Sequence, residues 1–334
     1  MSNPRSTVAT AAAVSASLAC ALSGFAGPAS AQQDYPSRPV SIIVPFAAGG
    51  PTDTVARVLA ASMTKSLGGT LIVENKAGAG GTLGAAEVAR AAPDGYKLLV
   101  HHIGMSTQPA LYRKLSFDSV TSFQPIAMIN DVPMTVLSKR DFPAKDLKEL
   151  IAYAKKNPEK VTLANAGVGS ASHLCGLMFM SAIDAPLVSV PYKGTAPAMT
   201  DLMGGQVDLL CDQTTNTTEQ IRGEKVKAYA VTTAERLATL SNLPTTTEAG
   251  LPALQVGVWH AMYAPKGTPK PIVDKLVAAV QSALKDEALL RRFNDLGAIP
   301  YPVAQQTPEG VEKKLKTEID RWTPIIRKAG IYAD

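Results

Sequence analysis

Short runs rich in Val, Ile and Leu alternate with longer segments of helical periodicity along almost the whole chain. β-type runs fall at 40–44, 71–74, 97–102, 125–129, 134–137, 161–165, 187–190, 207–211, 226–232 and 256–264. Helical segments fall at 54–67, 84–91, 147–157, 172–182, 196–203, 271–284 and 308–329. Alternation of this kind predicts an α/β fold with mainly parallel sheets flanked by helices. No internal repeat or low-complexity linker interrupts it.

Two places read as crossings between lobes. Residues 125–137 hold two strand-like runs with almost no turn material between them, and 251–263 form a second long extended run after a Pro/Thr-rich loop at 243–250. Two crossings make one lobe discontinuous: residues 32–131 plus 250–334 against 132–249. The expected architecture is therefore a two-lobed clamp with two extended strands as hinge, and a cleft between lobes is a preferred ligand site.

The N-terminus predicts export. Arg5 is the only charge before Asp34, residues 8–25 are small and apolar, and Ala29-Ser-Ala31 is a small-x-small cleavage site, so residues 1–31 read as a cleavable signal peptide. Ser17-Leu-Ala-Cys20 is a weak rival as a lipoprotein site. Losing Arg5 takes the formal charge from +5 to +4. This is mildly basic without Lys/Arg clusters, which suits small anions and argues against nucleic acid. Aromatics are only 5% of the chain, too few for a sugar cleft built on stacked rings. Cys20 leaves with the leader, so Cys175 and Cys211 have one possible pairing in an oxidising compartment. A bridge between them is expected; two buried free thiols are the alternative.

Two glycine turns carry the binding expectation. Val44-Pro-Phe-Ala-Ala-Gly-Gly-Pro-Thr-Asp53 joins a β-branched run to a helix, and Thr52 or Asp53 can cap that helix. Its remaining N–H groups make a seat for a carboxylate or phosphate. Ala166-Gly-Val-Gly-Ser-Ala-Ser-His173 repeats the pattern in the other lobe, with Ser170 or Ser172 as cap and hydroxyl donor. Two such seats facing one cleft suit a ligand with a carboxylate at each end; two plain connecting turns are the alternative.

Other chemistries fare poorly. Gly78-Ala-Gly-Gly-Thr-Leu-Gly84 misses the dinucleotide spacing by one residue, and no Walker lysine follows any glycine loop. His101 and His102, adjacent on a strand, should point to opposite faces and not share a metal. His260 lies in an apolar run and reads as structural. An exported serine hydrolase using Ser170, His173 and Asp212 is a rival, but the G-x-S-x-G elbow is missing and capping explains Ser170 more simply. No catalytic residue, metal or cofactor is expected.

Several segments, in order, resemble one family: Tyr35-Pro-Ser-Arg-Pro-Val-Ser-Ile-Ile-Val-Pro-Phe-Ala-Ala-Gly-Gly-Pro-Thr-Asp53, Glu74-Asn-Lys-Ala-Gly-Ala-Gly-Gly81, Ala92-Pro-Asp-Gly-Tyr96, Pro109-Ala-Leu-Tyr112, Gly167-Val-Gly-Ser-Ala-Ser-His-Leu174, Val190-Pro-Tyr-Lys-Gly194 and Asp201-Leu-Met-Gly-Gly-Gln-Val-Asp208. The chain resembles the substrate-binding proteins of the tripartite tricarboxylate transporters, also called Bug proteins, over essentially the whole sequence after the leader. The resemblance implies a two-lobed periplasmic binding protein of type II-like fold that closes on an organic acid and delivers it to membrane permease subunits. A ligand-sensing receptor for a signalling partner is a third reading, and a monomer is expected.

Carried over by motif, Phe46, Ala47, Ala48, Gly49 and Gly50 with Asp53 would hold one carboxylate through backbone N–H groups and ordered waters. Ala166, Gly167, Ser170 and His173 would contribute from the other lobe, with Tyr192 beside them and Asp212 organising the rim. His102, Ile103 and Gly104 stand where a hydroxyl-rich loop is expected, so they shape the distal pocket.

Overall fold

The computed structural model describes residues 35–333; the leader predicted at 1–31 and its rival lipoprotein site lie outside them. The chain divides into two compact units, residues 1–37 and 38–334. Of the first, residues 35–37 are described and include a cis peptide bond between Tyr35 and Pro36.

The second unit contains ten strands: β1 Val40–Val44, β2 Leu71–Asn75, β3 Lys97–His102, β4 Phe123–Lys139, β5 Thr162–Asn165, β6 Val188–Pro191, β7 Leu209–Gln213, β8 Val226–Val231, β9 Gly257–Pro265 and β10 Ile299–Pro300. Its α-helices are α1 Pro51–Leu67, α2 Thr82–Ala89, α3 Gly104–Leu111, α4 Leu147–Lys156, α5 Ala171–Ile183, α6 Thr195–Met203, α7 Thr214–Arg222, α8 Lys270–Ala283, α9 Glu287–Asp295 and α10 Pro308–Ala329. None is long and apolar enough to cross a membrane.

The strands run in the order β2-β1-β3-β9-β4-β7-β5-β6, with β8 and β10 also pairing β4. The flanks are parallel ladders, β2-β1-β3 and β7-β5-β6, as strand–helix alternation predicts. The centre is antiparallel: β9 pairs β3 and β4 in that sense, and β4 pairs β7.

The two runs expected at 125–129 and 134–137 are one 17-residue strand. Residues 123–133 of β4 pair with β9, while 134–139 pair with β7 and β8. Pro133, which has no N–H to donate, stands where β4 changes partners. The second extended run is shorter than expected: β9 begins at Gly257, although Leu251, Leu254 and Val256 before it are buried.

The largest hydrophobic cluster gathers Ile43, Leu99, Phe123, Met128, Trp259 and Tyr263 from the central strands. It continues through Leu174, Cys175 and Phe179 of α5 and Trp322 and Ile326 of α10. Cys175 and Cys211 are bonded, with Cα atoms 6.0 Å apart, which ties the first turns of α5 to the middle of β7.

Candidate functional site

The β1–α1 turn is built by Asp53. Its Oδ2 accepts from Gly49 N at 2.8 Å and from Arg57 Nε at 2.8 Å, and its Oδ1 accepts from Asn75 Nδ2 at 2.9 Å. Asn75 Nδ2 also donates to Phe46 O. Burial would raise the Asp53 carboxyl, but these hydrogen bonds outweigh it and hold the group below the usual carboxylate range.

Asp53 is therefore spent on the turn. The expected helix cap is corrected: Gly50 is the N-cap of α1 and has no side-chain cap bond. The turn's own N–H groups are also partly used, since Ala47 N donates to Lys193 O and Gly50 N to Ala47 O. What α1 presents is its first turn, where Thr52 and Asp53 N–H groups have no intrahelical acceptor. Thr52 Oγ1 lies 3.3 Å from His260 Nε2.

The β5–α5 turn is capped as expected. Ser170 Oγ accepts from His173 N at 3.2 Å and lies 3.2 Å from Ser172 Oγ, which accepts from Ala166 N at 2.8 Å. Gly167 and Gly169 have left-handed φ values of 97° and 85°, conformations that favour glycine. His173 Nδ1 accepts from Gly169 N, and burial holds the ring down at about 4. Ser170 and His173 are thus linked by a cap, with the imidazole turned to the backbone. A base–nucleophile hydrogen bond, which a hydrolase needs, is not what joins them.

The expectation that His101 and His102 point to opposite faces is corrected. Their ring centroids lie 4.9 Å apart, and both rings meet Phe46, His102 stacked at 4.6 Å and His101 edge-on at 5.6 Å. β3 ends at His102 and the chain turns immediately into α3, so strand alternation no longer applies. His102 N donates to His101 Nδ1 and Gly104 N to His102 Nδ1, which leaves the His102 proton on Nε2. His260, opposite His102 in register, is 5.9 Å away. Burial holds His102 down at about 3 and drives His101 and His260 well below the ordinary histidine range.

These elements close on a small cavity of about 10 Å³. Phe46, His102, Ala166, Ser170 and Asp212 line it, as the sequence suggested, and so do Pro51, Thr52, Ala171, Ser172, Thr195 and Gln213. The first turns of α1 and α5 open onto it together. Gly167 and Tyr192 instead line a separate outer pocket of about 560 Å³ with Gly80 and Tyr112, and Tyr192 OH donates to Asp201. Ala47, Ala48, Gly49, Gly50, Asp53, Ile103, Gly104 and His173 support the walls without lining the cavity.

Asp212 was expected at the rim but is buried. Its Oδ2 accepts from Asn216 Nδ2 at 2.6 Å, while Oδ1 has no partner. Burial pushes the carboxyl up to about 6, against the lowering effects of Asn216, the Gln213 backbone and the Thr195 hydroxyl. Gln213 Oε1 is likewise buried and unpaired. Residues such as Thr195 and Gln213 escape sequence reading because only the pairing of β5 with β6 and of β7 with β4 and β5 brings their loops to the other turns.

The sequence pattern described as tripartite tricarboxylate transporter family receptor matches residues 55–331. A UPF0065 protein of Agrobacterium vitis, from the TAR-I ttuE-ttuC' intergenic region, is 49% identical over 90% of this chain and 87% of its own. Among solved structures, the periplasmic binding protein BugD is 54% identical with a TM-score of 0.87, covering 89% of this chain and 99% of BugD. MatC of Rhodopseudomonas palustris, solved with bound malate, is 42% identical with a TM-score of 0.85, covering 87% of this chain and all of MatC. The architecture, the paired turns and these likenesses agree: the chain belongs to the tripartite tricarboxylate transporter family receptors, as a solute-binding protein of the Bug group.

Proposed function

We propose that this chain is a monomeric periplasmic receptor that captures a small di- or tricarboxylate, aliphatic or aromatic, between two lobes. It hands the acid to the permease subunits of a tripartite tricarboxylate-type transporter, without cofactor, metal or catalysis. The lobes are residues 32–131 plus 250–334 and residues 132–249, and the leader at 1–31 is removed on export.

The observation that carries this reading is the convergence of two helix N-termini, α1 and α5, on one cavity. Free N–H groups and positive dipole ends recognise anions there without an arginine. A cavity of about 10 Å³ admits about one water, so an organic acid enters only when the walls part. β4, shared by both halves of the sheet, and the run 251–263 serve as the hinge. Malate in the related MatC supports a dicarboxylate ligand.

Calorimetric titration with aliphatic, aromatic and tricarboxylic acids tests the reading. A dicarboxylate should bind much more tightly than the matching monocarboxylate, because its second end adds contacts that favour closure. Equal affinity for the two, or preference for a neutral sugar, overturns it.

A further inference from the structure

The cavity holds an excess of negative charge once an acid enters, and we infer that the site loads its carboxylate together with one proton, carried on Asp212 Oδ1. The inference rests on the proposed carboxylate-binding function and deepens it.

The geometry supports this assignment. Asp212 is 1% exposed, and its two oxygens are used unequally. Oδ2 is held by Asn216, whereas Oδ1, on a side chain that lines the cavity, is buried and makes no hydrogen bond of good geometry, although the Gln213 N–H and the Thr195 hydroxyl, itself unpaired, are near enough to the carboxyl to favour its charge. A carboxylate oxygen left so is costly as a charge and is satisfied once it becomes an O–H that donates to a ligand oxygen.

The surrounding charges offer no other compensation. His102, from β3, is the other titratable side chain among the residues lining the cavity, and no Lys or Arg is among them. With Nδ1 accepting from Gly104 N, His102 offers Nε2–H as a neutral donor and needs no second proton. His173 on α5 is turned to Gly169, and His260 on β9 lies behind Thr52. Asp53 and Arg57 on α1 neutralise each other. Lys193, ahead of α6, is exposed to solvent. The two helix N-termini together contribute roughly one positive charge. That offsets Asp212 or one ligand carboxylate, but not both. Burial already raises the Asp212 carboxyl to about 6 before a ligand adds its own repulsion.

The balance is simple: a solvent proton binds Asp212 Oδ1 as the ligand enters, the new O–H donates to a ligand carboxylate oxygen, and the proton returns to solvent on release. No other bond forms or breaks.

Calorimetry with succinate and L-malate at pH 7.5, in buffers of different ionisation enthalpy, counts the protons. The wild-type protein should take up close to one proton per ligand, and its Kd should rise about tenfold between pH 7 and pH 8. Asp212→Asn should abolish the uptake and flatten the pH dependence, while His102→Gln, though it weakens binding, should leave the proton count unchanged.

Saturable wild-type binding with no proton uptake overturns the inference whether or not the variants fold. So does uptake that survives in Asp212→Asn or disappears in His102→Gln. Binding restricted to an acid carrying its own ammonium, such as aspartate, with no proton exchanged, would also overturn it. Failure of every acid to bind removes the carboxylate reading itself, and the inference falls with it.

Discussion

Gly80 packs against Val168 so closely that a Cβ on Gly80 would overlap the Val168 carbonyl oxygen, and Gly80 N lies 3.0 Å from where a Cβ on Gly167 would sit. Tyr112 OH bridges the same join, sharing its one proton between Ala79 O and Val168 O, 2.8 and 2.9 Å away. The glycine cluster 78–84, which fits no nucleotide motif, thus packs the β2–α2 loop backbone-to-backbone against the turn before α5. Gly80→Ala should hold this join apart, aided by strain at its φ of 58°. Carboxylate affinity should drop at least tenfold, about 1.4 kcal/mol. X-ray scattering should show no compaction on ligand addition, whereas normal compaction would refute a role for this join in closure.

Ser170 caps α5 and, on the proposed function, also donates to the bound acid; one substitution tests both roles and separates them from catalysis. Ser170→Ala removes the α5 cap, at a cost of about 1 kcal/mol in stability. It also removes a donor near the bound anion, which should weaken binding by about 1–3 kcal/mol. Thermal melting and calorimetry read the two effects. Ester-cleaving activity present in the wild type and lost in this variant would revive the hydrolase alternative.

The Cys175–Cys211 bridge closes a separation of 36 residues. Replacing both cysteines with Ala should lower stability by about 3–4 kcal/mol in the chain-entropy picture. Thiol titration of denatured, unreduced protein should find neither of these cysteines reactive.

Acid should destabilise the unliganded protein. His101, His102 and His260 are buried and neutral, with folded-state values below the ordinary 6.5, and burial puts His102 at about 3. The unfolded chain therefore binds more protons below pH 6.5, so their contribution is intact above that value and is lost as pH falls. Each such histidine costs about 2 kcal/mol between pH 7.5 and pH 5. Asp212, raised to about 6, acts in the opposite sense between about 4 and 6 and offsets only part of this. Melting temperatures should fall from pH 7.5 to pH 5, with a shallower slope in His102→Gln. A flat profile would show that these rings become charged without cost.

The alternation of β-branched runs with amphipathic segments determines by itself the α/β class, and it places β1, β3 and α10 to the residue. Local propensity is strong there and the apolar spacing matches one period. Other elements escape local reading for identifiable reasons. α7, TTNTTEQIR, is rich in β-branched residues and polar, and α3 carries Pro109 inside it. α9, by contrast, is strongly amphipathic, so its apolar spacing alone marks it as a helix.

At the site, the glycine turns and the Ser170 cap follow from sequence because they depend on residues a few positions apart. Asp53's service to Gly49 and Asn75, the stacking of His101 and His102 on Phe46, and the unpaired Oδ1 of Asp212 do not. The Gly49 bond is local, but it competes with the other uses of a turn aspartate; the bond to Asn75, the rings on Phe46 and the surroundings of Asp212 depend on residues brought together from separate strands. Burial, which sets both their partners and their charge, exists only once the sheet has formed.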